Sequence, residues 1–270
     1  MQSDVLGASK TGSWSRFRRT VYALFIRQLQ QRLAGSWTGL VWIVLDPLVI
    51  IVFTTLMHTI IRGRSSSSYD IIIFVGSGII PFFMFRKMVQ TSLIVFKRNQ
   101  SLYHYGQIKP FDTFLANVFL ESSIYLIVAI LLMLLAAVLG MEILPKDPLI
   151  VILAALWLAI FAISWGLFLG VWSFFYEIVA KIFGFLSFPL LLLSSVFYPL
   201  SIVPPVAREW LLYNPVVHFM ELIHGSYLKH LDTRYVDYNY MFMWTIVPLF
   251  FGLLLYKKSE WKYIKNDLVT

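Results

Sequence analysis

The sequence predicts an all-α integral membrane protein, and three observations carry that class. Of 270 residues, 59% are hydrophobic and only 13% are charged, about half the charge of a soluble domain. Mean hydropathy is +0.76. Apolar runs recur along nearly the whole chain, enough for about six crossings of roughly 20 residues each. A soluble enzyme, a disordered chain and a disulfide scaffold are excluded; the sequence contains no cysteine, so it has no thiol chemistry. In such a chain a net charge of +8 points to basic residues on the cytoplasmic side rather than to nucleic acid.

The first element is a loose polar tail, residues 1–13. Next comes an amphipathic helix, Trp14 to Leu33. Trp14, Phe17, Val21, Leu24, Phe25 and Leu29 recur at helical spacing, while Arg16, Arg19, Arg27 and Arg32 fill the other side. That pattern suits a helix lying in the membrane interface against anionic headgroups. Spans follow over about 39–61, 71–96, 111–139, 149–175, 182–200 and 240–256. Residues 201–239 are half-apolar and broken by Pro204, Pro205, Asn214 and Pro215. They are expected to form short periplasmic re-entrant helices, tolerable where protein or a wet cavity satisfies the backbone. A cytoplasmic tail is expected over 257–270. With the N-terminus inside, inner segments carry 14 Lys and Arg and outer segments 6, which places both termini in the cytoplasm.

Charges inside apolar runs are costly and mark function or pairing. Asp46 stands out in the first span, followed by Pro47, as a gate or pathway residue or as the cap of a broken helix. Arg86 and Lys87 interrupt the second span, either snorkelling to headgroups or facing an anionic substrate. Aromatic residues near span ends, Trp42, Phe82, Phe83 and Tyr198 among them, fit interfacial belts or a corridor on which sugar rings stack. Gly166 and Gly170 form a G-x-x-x-G suited to close helix packing. His218, Glu221 and His224 are spaced H-x-x-E-x-x-H, but histidines six residues apart do not share a helix face, so a polar hinge is expected there and no metal site. The sequence lacks the P-loop pattern G-x-x-x-x-G-K-[ST], and also G-x-S-x-G and H-E-x-x-H. Residues 97–110, KRNQSLYHYGQIKP, make a short basic, aromatic link between the second and third spans, suited either to docking a partner or to plain connection.

Three stretches resemble one family. They are RLAGSWTGLVWIVLDP at 32–47, LYHYGQIKPFDTFL at 102–115 and NPVVHFME at 214–221. They are similar to the permease subunits of type-2 polysaccharide ABC exporters, most of all those of group 2 capsular polysaccharide exporters. That family often has Glu where Asp46 stands. The resemblance runs from about Trp14 to Tyr256, so residues 14–256 are expected to form one transmembrane domain. It implies a second copy of the chain, two ATPase subunits that bind ATP and Mg, a periplasmic adaptor and an outer-membrane polysaccharide export protein. The substrate implied is a lipid-linked, acidic polysaccharide in the bacterial inner membrane. No cofactor is expected on this chain. Leu102, Tyr103, His104, Tyr105 and Lys109 are the expected ATPase-coupling residues. Trp42, Asp46, Phe82, Phe83, Arg86, Lys87 and Tyr198 are the expected substrate path. Pro204, Pro205, Asn214, Pro215, His218 and Glu221 are the expected periplasmic gate. A teichoic-acid or O-antigen permease, a membrane transferase acting on lipid-linked sugars and a proton-coupled secondary transporter stay open as alternatives.

Overall fold

The computed structural model describes residues 13–35, 37–62, 68–104, 108–141 and 143–265. Ten α-helices follow in chain order: α1 (Ser13–Gly35), α2 (Trp37–Arg62), α3 (Ser68–Arg98), α4 (Gln100–Tyr103), α5 (Pro110–Val138), α6 (Pro148–Phe175), α7 (Ile178–Leu192), α8 (Pro205–Leu212), α9 (Pro215–Tyr227) and α10 (Tyr238–Lys265). A 3-10 turn, Leu200–Ile202, precedes α8.

Among the described residues, four helices are long and apolar enough to cross a membrane: α3, α5, α6 and α10. Val41–Met57 within α2 and Ile178–Leu192, which is α7, are shorter apolar stretches. The fifth expected span is corrected. Its helix runs over Ile178–Leu192 and stops there, about 22 Å at the helical rise, short of a hydrocarbon core of about 30 Å. The chain then turns through Ser195, whose φ of 59° is left-handed. Beyond residue 257, α10 continues helically to Lys265.

The core forms where α3 lies between α5 and α6, with α10 against α6 and α9 against α3, α6 and α10. Phe85 stacks on Phe161 at 5.5 Å between ring centroids, and Phe161 meets Phe219 of α9 at 4.9 Å. The G-x-x-x-G of α6 does what its spacing suggests. A Cβ at Gly170 would stand 2.7 Å from the Ser92 carbonyl oxygen, and one at Gly166 would stand 2.9 Å from the Ser92 hydroxyl. The two glycines therefore let α6 ride on the backbone of α3.

Within the broken 201–239 segment, α9 is a short helix enclosed by protein. Residues 214–227 read as part of a half-apolar outer segment. Yet every residue from Val216 to Tyr227 is buried, as in a helix surrounded by protein. Its start is locally encoded. The Asn214 side chain accepts from the Val216 N–H at 3.0 Å, and Pro215 occupies the first helical position, where its missing N–H costs nothing. By contrast α8 has no buried residue.

Candidate functional site

Two polar joints sit at opposite ends of the bundle. The link side carries α4 and the α3–α5 connection; the far side carries α8.

On the link side, α1 lies across the start of α5. Leu24 and Gln28 are buried there, while Trp14 and Tyr22 are about two-thirds exposed. The helix thus packs on protein through one face and leaves an aromatic and basic face outward. Gln28 donates to the Thr113 carbonyl at 3.3 Å. Tyr103 and Thr113 share a hydroxyl hydrogen bond at 2.9 Å. Further along α5, the Arg32 guanidinium donates to Glu121 Oε1 at 2.9 Å. Glu121 is only 2% exposed, and its Oε2 has no hydrogen-bond partner among the described residues. Nearby, Asn117 donates to Thr91 at 2.8 Å and accepts from Arg98 at 3.4 Å. These bonds tie α1, the link, α3 and α5 into one unit.

Glu121 escapes a reading that looks to Asp46 for the intramembrane acid. The signal was present, since it is the one carboxylate in the interior of the 111–139 run, beyond Asp112 in the first helical turn. Its partner Arg32, 89 residues earlier, gives no sequence signal.

Tyr103 faces inward. It is 1% exposed and its hydroxyl is spent on Thr113, so it anchors the link to its own chain. Leu102 is half-buried against the same core. His104 and Lys109 are exposed. Lys109 precedes α5, where its backbone N–H donates to Asp112 Oδ2 at 3.0 Å. Tyr105 lies outside the described residues.

The expected path residues fall into two groups. Trp42 and Asp46 are exposed on α2. Phe82 and Phe83 are buried in the core. Arg86 is half-buried, with its guanidinium carbon 4.3 Å from the centroid of the Phe83 ring, a cation–π contact. Its Nε has no partner among the described residues, and Asp46 attracts it electrostatically. Lys87 is half-buried beside it. Tyr198 lies on the far side and donates to the Leu192 carbonyl at 2.9 Å.

The far-side joint is built on α9. Glu221 Oε1 lies 2.7 Å from the Ser195 hydroxyl and accepts from the Leu200 N–H at 3.0 Å. The Asn214 amide donates to the Leu193 carbonyl at 3.1 Å and to the Ser194 hydroxyl at 3.0 Å. Pro204 and Pro205 are exposed and start α8. His218 Nδ1 receives the Asp237 N–H at 3.2 Å, which leaves its proton on Nε2, 3.0 Å from the Leu212 carbonyl. That is a neutral ring with both nitrogens engaged. His224 instead stacks on Phe74 at 4.0 Å, facing Gly78, where a Cβ would meet it at 2.7 Å. The three residues of H-x-x-E-x-x-H therefore serve three different contacts.

Residues 19–228 match the ABC-2 type transporter family. The chain belongs to that family. Among its relatives, the polysialic acid transport protein KpsM of Escherichia coli is 32% identical over 241 residues, covering 89% of this chain and 93% of that protein. The capsule polysaccharide export inner-membrane protein CtrC of Neisseria meningitidis is 29% identical over 252 residues, 92% of this chain and 95% of its own length. The corresponding protein BexB of Haemophilus influenzae is 26% identical over 239 residues, 88% and 90% of the two chains.

Proposed function

We propose that this ABC-2 family member is the transmembrane subunit of an ATP-driven exporter that moves a lipid-linked, acidic capsular polysaccharide across the bacterial inner membrane. The observation that carries this reading is the likeness to three capsule or polysialic acid transport proteins over nearly the whole chain. Two copies pair with two ATPase subunits, which bind ATP and Mg. A periplasmic adaptor and an outer-membrane export protein receive the polymer. The 14-to-6 bias of basic residues favours the link side and both termini in the cytoplasm, with α7 and the apolar stretch of α2 reaching into the bilayer beside the four long helices.

Coupling follows from the link-side bonds. Force applied at the exposed His104 and Lys109 reaches α5 directly and reaches α1 through Tyr103, Thr113 and Gln28. Trp42, Asp46, Arg86 and Lys87 supply aromatic and charged contacts to the polymer from α2 and α3, weak enough at each point for it to move on. The far-side turn held by Asn214 and Glu221, with His218, Pro204, Pro205 and Pro215 around it, forms the periplasmic gate.

The test is copurification of a P-loop ATPase with the tagged full chain, together with surface polysaccharide in cells lacking the wild-type gene. His104→Glu with Lys109→Glu is expected to lose the ATPase and the surface polymer while the chain stays in the membrane. Full copurification and export in that variant would assign docking elsewhere. Transfer or hydrolysis of lipid-linked sugar by the purified chain alone would favour the transferase reading.

A further inference from the structure

A void of about 520 Å³ opens between α2, α3 and α5 in the far half of the bundle. Its walls are Leu48 and Val52 of α2, Ile73 and Ile80 of α3, and Leu132 and Leu135 of α5. It is a groove half open to the outside, lined almost entirely by apolar side chains.

The lining restricts its occupant. Three side chains in it carry hydroxyls, and each already donates within the chain. Thr55 donates to the Ile51 carbonyl at 2.8 Å, Ser77 to the Phe74 carbonyl at 2.9 Å and Tyr227 to the Ile143 carbonyl at 2.6 Å. No hydroxyl proton is left for a phosphate, and the rest of the lining is apolar side chains and glycine, a poor match for a polar ligand. The mouth is flanked by Val52, Leu56, Met133 and Leu139, all more than a third exposed, so the void is continuous with the hydrocarbon-facing surface.

We propose that this void is a binding site for one acyl chain of a bilayer phospholipid, drawn from the leaflet on the α2–α3 side. The site recognises hydrocarbon alone and leaves the headgroup outside. It is independent of what the transporter exports.

Gly76 provides the test. A Cβ there meets only Ile51 Cδ1, at 3.8 Å, so a larger side chain grows into the void without touching backbone. The full-length chain is reconstituted in phosphatidylethanolamine and phosphatidylglycerol vesicles carrying a phosphatidylcholine with a photoreactive diazirine on one acyl chain. Labelled residues are mapped by mass spectrometry after illumination. Wild type and Gly76→Ala are expected to be labelled at Thr55, Met133 or Tyr227. Gly76→Leu is expected to lose that label and keep the label on the outward residues Leu126 and Ile127. Equal labelling of the void in Gly76→Leu would overturn the proposal. So would a wild-type chain labelled at Leu126 and Ile127 and never in the void, as when a second copy covers it. Should Gly76→Leu fail to insert, Ala136→Leu fills the void from the α5 wall and is read the same way.

Discussion

Glu121 and Glu221 are both buried, 2% and 6% exposed, and they solve the same problem differently. Glu121 is paired with a cation from another helix, Arg32 of α1, and keeps one oxygen without a partner. Glu221 has no cation within bonding distance among the described residues. It braces a left-handed turn through a hydroxyl and a backbone N–H. The first is a bond between two elements that can separate. The second is a bond that holds a loop in a conformation its sequence does not favour, since Ser195 has positive φ without being glycine. The link-side joint therefore suits transmission and the far-side joint suits rigidity.

The largest expected effect is at the ion pair. Removing one partner of a buried pair costs on the order of 3–5 kcal/mol, and Arg32, about a quarter exposed, places its own loss at the lower end. Arg32→Ala should lower the melting temperature of the purified chain sharply. Glu121→Leu combined with Arg32→Leu should recover most of that loss, because both charges leave together. A double variant as unstable as the single one would make Arg32 a packing residue. At Glu221 the effect is smaller. Glu221→Ala strands the Leu200 N–H, about 1–3 kcal/mol, since the Ser195 hydroxyl still has the Tyr198 carbonyl at 2.8 Å, whereas Glu221→Gln keeps an acceptor oxygen and should be nearly neutral. The contrast sharpens at this point: glutamine should be tolerated at 221 and poorly tolerated at 121, where Arg32 would lose its counter-charge. Equal melting shifts for the two glutamine variants would erase the distinction between the joints.

Much of this architecture was legible in the sequence, for physical reasons that also explain the misses. The long helices announce themselves because a bilayer demands apolar length. Gly166 and Gly170 announce themselves because close approach demands the absence of a side chain. The burial of α9 was hidden, because a helix enclosed by protein tolerates His218, Glu221 and His224 wherever a contact satisfies them, and that mixture resembles a surface segment. The direction of Tyr103 was hidden because α4 is four residues long and shows no period from which a face could be read. The partnership of Arg32 with Glu121 was hidden because hydropathy says where a charge lies in depth and nothing of which helix stands beside it. Ser195 carried no sign at all of its backbone conformation.

The smallest expected effect is at a second ion pair, which marks the limit of the comparison. Lys97, near the end of α3, pairs with Glu177 at the corner between α6 and α7. Both side chains are more than half exposed. The Lys97 hydrogen bond, and then its charge, hold the Glu177 carboxyl below its ordinary range. A carboxyl depressed in the folded state contributes stability that is present above its unfolded value, about 4.3, and that disappears as pH falls through its lower folded value. The contribution is thus constant through neutral pH and fades only in acid. Water and salt screen an exposed pair, so Glu177→Gln should leave the melting temperature at neutral pH almost unchanged, in contrast to Arg32→Ala. Wild type and Glu177→Gln should converge further below the ordinary glutamate range or at molar salt. A large loss at neutral pH, insensitive to salt, would show that the α6–α7 corner is held by this pair as firmly as α1 is held by Glu121.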